Sequence, residues 1–215
     1  MSVLVYAISR DDARAPAAPE LQEICAAGLR ALAEPVQEPL TADLAQLVHY
    51  EETVETVMAT HTILPMRFGS VVEDEHRVRA LLKAHVREFA AALAHLDGAV
   101  EFGVQVSCAA APEVVPGEPA AASGAAYLRG RLIEQRARRE LRAWLDENLL
   151  EAARERAART VPSLGPAAVS AAYLVENRHE RAFVQRLTEL ADGAERRLTW
   201  SGPWPPYSFV GGLEA

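Results

Sequence analysis

Six histidines (His49, His61, His76, His85, His95 and His179), two cysteines and thirty acidic residues are the groups able to hold a metal, attack a substrate or move a proton. Their spacing builds none of the standard centres. No His-Glu-x-x-His pattern places two imidazoles and a base on one helix face, and no Cys/His spacing suits zinc. The densest set of potential ligands, Glu73-Asp74-Glu75-His76, lies where a helical pattern begins, and acids there are favoured by the positive end of the helix dipole. It reads as a cap. Gly-rich phosphate loops of the Walker or Rossmann type are absent, as is Gly-x-Ser-x-Gly. A Ser, a His and an Asp can be picked from any chain of this size, so spacing gives no nucleophile. No cofactor, metal or catalytic residue is implied.

The unusual residues are elsewhere. Trp200-Ser201-Gly202-Pro203-Trp204-Pro205-Pro206-Tyr207-Ser208-Phe209-Val210 holds four of the thirteen aromatics and three of the thirteen prolines. Proline fixes φ and removes a donor, so the segment is held extended and presents Trp204, Tyr207 and Phe209 as apolar anchors. Either it folds back on its own domain and closes an open sheet or groove, or it docks a partner, since aromatic side chains dominate interface anchors.

The chain has 215 residues, enough for one large domain or two small ones. Thirty acids against 22 Lys and Arg give a net charge of −8, which argues against a basic nucleic-acid binder. No apolar run approaches the roughly 20 residues of a membrane span. The start, Met1 to Tyr6, lacks the positive end and cleavage site of a signal peptide, so the expected compartment is the cytosol. Cys25 and Cys108 are far apart in apolar surroundings and read as buried or half-buried thiols.

The elements that must position these groups emerge from periodicity. Val3 to Ile8 reads as a central strand buried on both faces. After a Pro16 to Pro19 turn, Leu21, Ile24, Cys25, Gly28, Leu29 and Leu32 recur at helical spacing, so a helix is expected over 20–32, and Pro35 and Pro39 then interrupt any regular element. A second helix spans Asp43 to Thr60, with Glu51, Glu52 and Glu55 opposite an apolar stripe. Residues 62–72 read as extended, with Pro65 at a sheet edge or bulge and Gly69 at a bend. Asp74 caps a helix running to Asp97-Gly98. Val100, Phe102, Val104 and Val106 then alternate with Glu101, Gly103, Gln105 and Ser107, the period of a strand covered on one side.

Three prolines and two glycines between 109 and 124 mark a boundary. A long amphipathic helix is expected from Ala125 to about Arg159. It carries nine Arg and six acids between Arg129 and Arg159, which reads either as a solvated face laced with pairs such as Glu134 with Arg138 and Glu155 with Arg159 or as a surface for an acidic partner. A weak strand near Thr160-Val161, a strand over Ala168–Val175, a helix carrying Phe183 and Leu187, and a last strand over Glu195–Trp200 complete an α+β layer fold of the ferredoxin type. The expected organisation is an N-terminal α+β domain at 1–110, of a modified ferredoxin-like plan, and a linker at 111–124. Beyond it come a C-terminal ferredoxin-like domain with the long helix at 125–202 and an aromatic and proline tail at 203–215.

The segment Gly202-Pro203-Trp204-Pro205-Pro206-Tyr207-Ser208-Phe209 closely resembles the C-terminal motif of the gas vesicle GvpL/GvpF family. Ile63 to Val71, Val100 to Val106, and Gly124-Ala125-Ala126-Tyr127-Leu128 agree with the family in the same order, so the resemblance covers nearly the whole chain. One departure is a short, proline-broken stretch between residues 33 and 47 where the family has a strand pair, which leaves open whether the first sheet is complete. The resemblance implies an accessory protein or minor component of gas vesicle assembly, not an enzyme, located at the gas vesicle or in the cytoplasm. Its expected partners are the hydrophobic major shell protein and other gas vesicle accessory proteins. A shell subunit awaiting incorporation exposes apolar surface, and Met66, Arg67, Phe68, Trp204, Tyr207 and Phe209 are the residues expected to border that contact. For Met66, Arg67 and Phe68 the other reading is a bend that ties two layers together. The competing class is a small-ligand or haem-binding enzyme on a ferredoxin-like sheet, which would gather several histidines round one pocket.

Overall fold

Seven consecutive buried residues, Val3 to Ser9, make β1 (Val3–Arg10) a strand covered on both faces. In this computed structural model, which describes residues 1–12, 18, 20–36, 43–108, 124–159, 168–193 and 195–210, β1 is the middle of the first sheet. The order is β2 (Gln22–Ala26), β3 (Leu29–Pro35), β1, β4 (Ile63–Pro65), with β5 (Val71–Val72) also pairing β1. Every one of these pairings is antiparallel. The proline of β4 ends that path, where a missing donor does least harm.

The helix expected over 20–32 is instead the hairpin β2–β3. Ala27 and Gly28 both have positive φ, 56° and 78°, the geometry of a two-residue type I′ turn. The misreading has a physical cause. Leu29, Ala31, Leu32 and Ala33 are buried, as is Arg30 through its pairing with Glu23 and Asp12, so β3 is covered on both faces and its nearly continuous apolar run mimics a helix stripe. Residues 37–42 of the proline-broken stretch lie outside the described residues, and among the described residues the first sheet has five strands.

Helix α1 (Leu44–Met58) starts at Asp43, whose side chain accepts from the Gln46 N–H at 2.8 Å, and buries Tyr50, Thr53, Val54 and Val57. Asp74 likewise caps α2 (Glu75–Ala84) through the Arg77 N–H. The single helix expected up to Asp97 breaks at His85 into α2 and α3 (Val86–Leu96).

The second sheet has the order β7 (Glu155–Arg159), β8 (Ala168–Glu176), β6 (Ala99–Cys108), β9 (Arg196–Trp204). Strand β6 is covered on both faces rather than one: Glu101 and Gly103 are buried along with the valines. The long helix is also shorter than expected. Helix α4 spans Gly124–Leu149, a 3₁₀ turn covers Leu150–Ala152, and Glu155–Arg159 is strand, so Glu155 and Arg159 form no helical pair. The residues 154–159 are good helix formers, but the Arg154 N–H donates to the Leu174 carbonyl at 2.7 Å and β7 pairs with β8; a waiting strand edge outweighs intrinsic propensity. Helix α5 (Glu180–Ala191) buries Phe183 and Leu187. Phe183 meets Phe102 and Tyr173 with ring centroids 5.4 and 5.7 Å apart.

By contact the chain forms two compact units, Met1–Glu101 with Pro203–Ala215, and Phe102–Gly202. The Pro16 to Pro19 turn apart from Ala18, the break at Pro39, the linker from 111 to 123 and the strand at Thr160-Val161 lie outside the described residues.

Candidate functional site

The aromatic tail packs into the first unit. Pro205 and Pro206 are buried, and Tyr207, Ser208 and Phe209 form a 3₁₀ turn in which each side chain is half-buried. The turn is closed by the Tyr207 N–H on the Pro205 carbonyl (2.8 Å) and the Phe209 N–H on the Pro206 carbonyl (3.1 Å). A second anchor comes from β6. The Glu101 carboxylate, 3 % exposed, accepts from the Ser208 N–H at one oxygen and from the Ser208 hydroxyl at the other, both at 2.8 Å. A buried carboxylate is costly unless its oxygens are satisfied, and this segment of tail supplies two of the donors.

Tyr50, 1 % exposed, organises the core beneath. Its ring stacks on Tyr6 at 4.5 Å and meets Phe68 edge-on at 5.4 Å. Its hydroxyl donates to the Met66 carbonyl at 2.8 Å, and the Met66 N–H donates to the Tyr6 carbonyl at 2.9 Å. One phenol thus ties α1 to β1 and to the segment after β4. Tyr207 and Phe68 both pack, partly buried, against this cluster, together with Val36, Met58 and Val71. They form an apolar rim on the surface of the first unit. The Tyr207 hydroxyl reaches Glu51 on α1 at 3.5 Å. Burial, followed by neighbouring acidic groups, pushes the Tyr6, Tyr50 and Tyr207 phenols well above the usual range, so all three are neutral donors at neutral pH. Burial also raises Glu51, with Glu55 adding to it and the Tyr207 hydrogen bond opposing.

Of the residues singled out in the sequence, Met66 is buried, Phe68, Tyr207 and Phe209 are half-buried, and Arg67 is exposed. Trp204, at the end of β9, is 39 % exposed. Met66, Phe68 and Tyr207 are brought together round Tyr50. Sequence reasoning missed Tyr50, Glu51 and Glu101. The alternation along β6 put Glu101 on a wet face, and the only hint to the contrary was Gly103 two residues on, which leaves that face nothing but backbone to cover.

The histidines do not converge. His61 is buried and the other five are exposed or half-exposed. His61 lines a polar cavity of about 210 Å³ with Ser9, Arg10, Asp12, Thr62 and Asp97, and no second histidine joins it there. Among the described residues no group of three or more His, Cys, Asp and Glu is arranged to hold a metal, and no helix is long and apolar enough to cross a membrane.

Comparison with known proteins gives a consistent answer. Residues 2–211 match the family described as gas vesicle synthesis protein GvpL/GvpF. Gas vesicle protein L of Streptomyces sp. strain CB03234 is 35 % identical over 192 residues, covering 78 % of this chain and 70 % of that protein. Gas vesicle protein F of the same strain is 27 % identical over 239 residues, covering 98 % and 100 %. The crystal structure of GvpF from Anabaena sp. PCC7120 superposes with a TM-score of 0.77 at 21 % identity, covering 97 % of this chain and 95 % of that one, a likeness of fold.

Proposed function

This chain belongs to the GvpL/GvpF family of gas vesicle synthesis proteins, and on that premise we propose that it binds the hydrophobic major shell protein during vesicle assembly. The observation that carries this reading is the apolar rim of the first unit. Phe68 and Tyr207 are half-buried against one core cluster, the buried prolines fix the tail that holds Tyr207, and Trp204 is left exposed. Rigid aromatics are suited to an apolar subunit, because they bury large area at little entropic cost. The −8 net charge keeps the loaded protein soluble. In this reading the site is Phe68, Trp204, Tyr207 and Phe209 with Arg67 at its edge, and Met66 supports it from beneath.

The order of β6, α4, β7, β8, α5 and β9, with strands arranged β7-β8-β6-β9, supports reading the second unit as ferredoxin-like. No specific observation favours a haem or small-ligand enzyme.

The test is co-expression of the major shell protein with the full chain and with Trp204→Ala. The wild type should retain the shell protein on purification, and the variant should lose most of it, since a central aromatic anchor is worth about 2 kcal/mol or more. Failure of the wild type to retain any shell protein would sink the direct-contact reading. Equal retention by both would take Trp204 out of the site.

A further inference from the structure

Two helices carry exposed large apolar residues that no core covers. On α1 these are Leu44 (77 % exposed) and Val48 (47 %), and on α4 they are Leu128 (61 %), Leu132 (63 %) and Ile133 (70 %), of which Leu128 and Leu132 form a pair on one face. In each helix the pair is one turn apart, and the same face then continues with charge. On α1 it runs Leu44, Val48, Glu52, Glu55, opposite the buried Tyr50, Thr53, Val54 and Val57. On α4 it runs Leu128, Leu132, Arg136, Arg139, away from the buried ridge of Leu141, Leu145 and Leu149. Both runs step by four, four and three residues, the repeat of one helix face. Their charges are opposite.

From this match we propose that α1 of one copy of this chain packs in parallel and in register on α4 of a second copy. That arrangement sets Leu44 and Val48 against Leu128 and Leu132, and Glu52 and Glu55 against Arg136 and Arg139. An antiparallel pairing would set acids against leucines, so the spacing also fixes direction. The wider charge balance agrees. Helix α1 holds three Glu and no Lys or Arg. Between Leu128 and Glu140, α4 holds five Arg against two Glu within a chain whose net charge is −8. Arg136 pairs with Glu140 in its own helix at 3.0 Å, but both side chains are mostly exposed. Such a pair contributes little and exchanges readily for an intermolecular one. A second copy is the occupant because it carries the complementary face. A purely apolar partner would leave the arginine half unmatched.

The contact is small. One helix pair buries well under the roughly 1,000 Å² of a stable interface, so association is weak and is read at high protein concentration. The test is sedimentation velocity of the full chain up to the order of 300 µM, the range such small interfaces call for. It is run on the wild type, on E52R/E55R, on R136E/R139E, and on an equimolar mixture of the two variants. All four changes are on exposed or half-exposed positions, and circular dichroism checks that each variant folds. The wild type should associate, each variant alone should stay monomeric because like charges now face each other, and the mixture should regain the wild-type association. A wild type monomeric throughout overturns the proposal. So does a variant that associates as well as the wild type, or a mixture that stays monomeric.

Discussion

Glu101 on β6 holds Ser208 of the tail by two hydrogen bonds of 2.8 Å, one from the main chain and one from the hydroxyl, across 107 positions of sequence. Ser208→Ala removes the hydroxyl and leaves one carboxylate oxygen short of a donor. A hydrogen bond to a charged group is worth about 1.5–3 kcal/mol. We expect a loss of that size in urea unfolding, with faster proteolytic cleavage within 203–210. An unchanged midpoint and cleavage rate would show that the hydroxyl adds nothing to the main-chain hydrogen bond in holding the tail.

Tyr50→Phe keeps the stacking on Tyr6 and the edge contact with Phe68 but deletes the donor to the Met66 carbonyl. The expected cost is about 1 kcal/mol, the usual net worth of a buried neutral hydrogen bond. Tyr50→Ala should cost about 3–5 kcal/mol, as for other large aromatics emptied from a core. If both variants unfold at the same denaturant concentration, the ring contributes nothing beyond its hydroxyl.

Ala27 is the one non-glycine residue described with positive φ. The left-handed conformation costs an L-residue about 1–2 kcal/mol. Glycine relieves that strain but gains unfolded-chain entropy that offsets part of the relief, so Ala27→Gly should stabilise by about 0.5–1 kcal/mol. Thermal melting of the variant decides the matter; a lower melting temperature would mean that the alanine methyl makes a contact outweighing the strain.

Tyr6, Tyr50, Tyr173 and Tyr207 are all held protonated chiefly by burial, beyond the ordinary phenol value of 10.0. Above about pH 10 the unfolded chain releases these protons while the folded chain keeps them. The unfolded state then binds fewer protons, and stability falls as pH rises. The contribution is fully present below pH 10 and is lost above it. Phenolate absorbance should therefore rise together with loss of helical signal. A phenolate signal fully developed near pH 10 with the fold intact would contradict the burial of these rings.

Trp204 makes a separable prediction. At 39 % exposure its replacement by alanine should leave stability within about 0.5 kcal/mol, as for surface sites in general, while capture of the shell protein drops. A large loss of stability would reassign Trp204 from contact to core.

The parts of the fold that could be read from sequence are those whose signal is local. The run Val3 to Ile8, the stripe of α1 and the cap at Asp74 depend on neighbours within a few residues. The hairpin β2–β3 was hidden because β3 is covered on both faces and carries a nearly continuous apolar run, and β7 because a helical composition was captured by the edge of β8. The site divides the same way. The unusual tail showed in composition, but its anchor did not. Glu101 looks like any solvated strand residue until Ser208 arrives from more than a hundred positions away. Tyr50 likewise sits unremarked on a helix stripe, and only its reach to the Met66 carbonyl reveals its part.

The first unit draws on two separated stretches, Met1–Glu101 and Pro203–Ala215, with all of Phe102–Gly202 between them. During translation the second unit emerges whole before the residues that finish the first. At about 5–20 residues per second, Glu101 waits some 5–20 seconds for Ser208, and the rim round Tyr50 waits somewhat longer for Tyr207. Completion of the first unit thus has to wait until ribosomal synthesis has passed beyond the second.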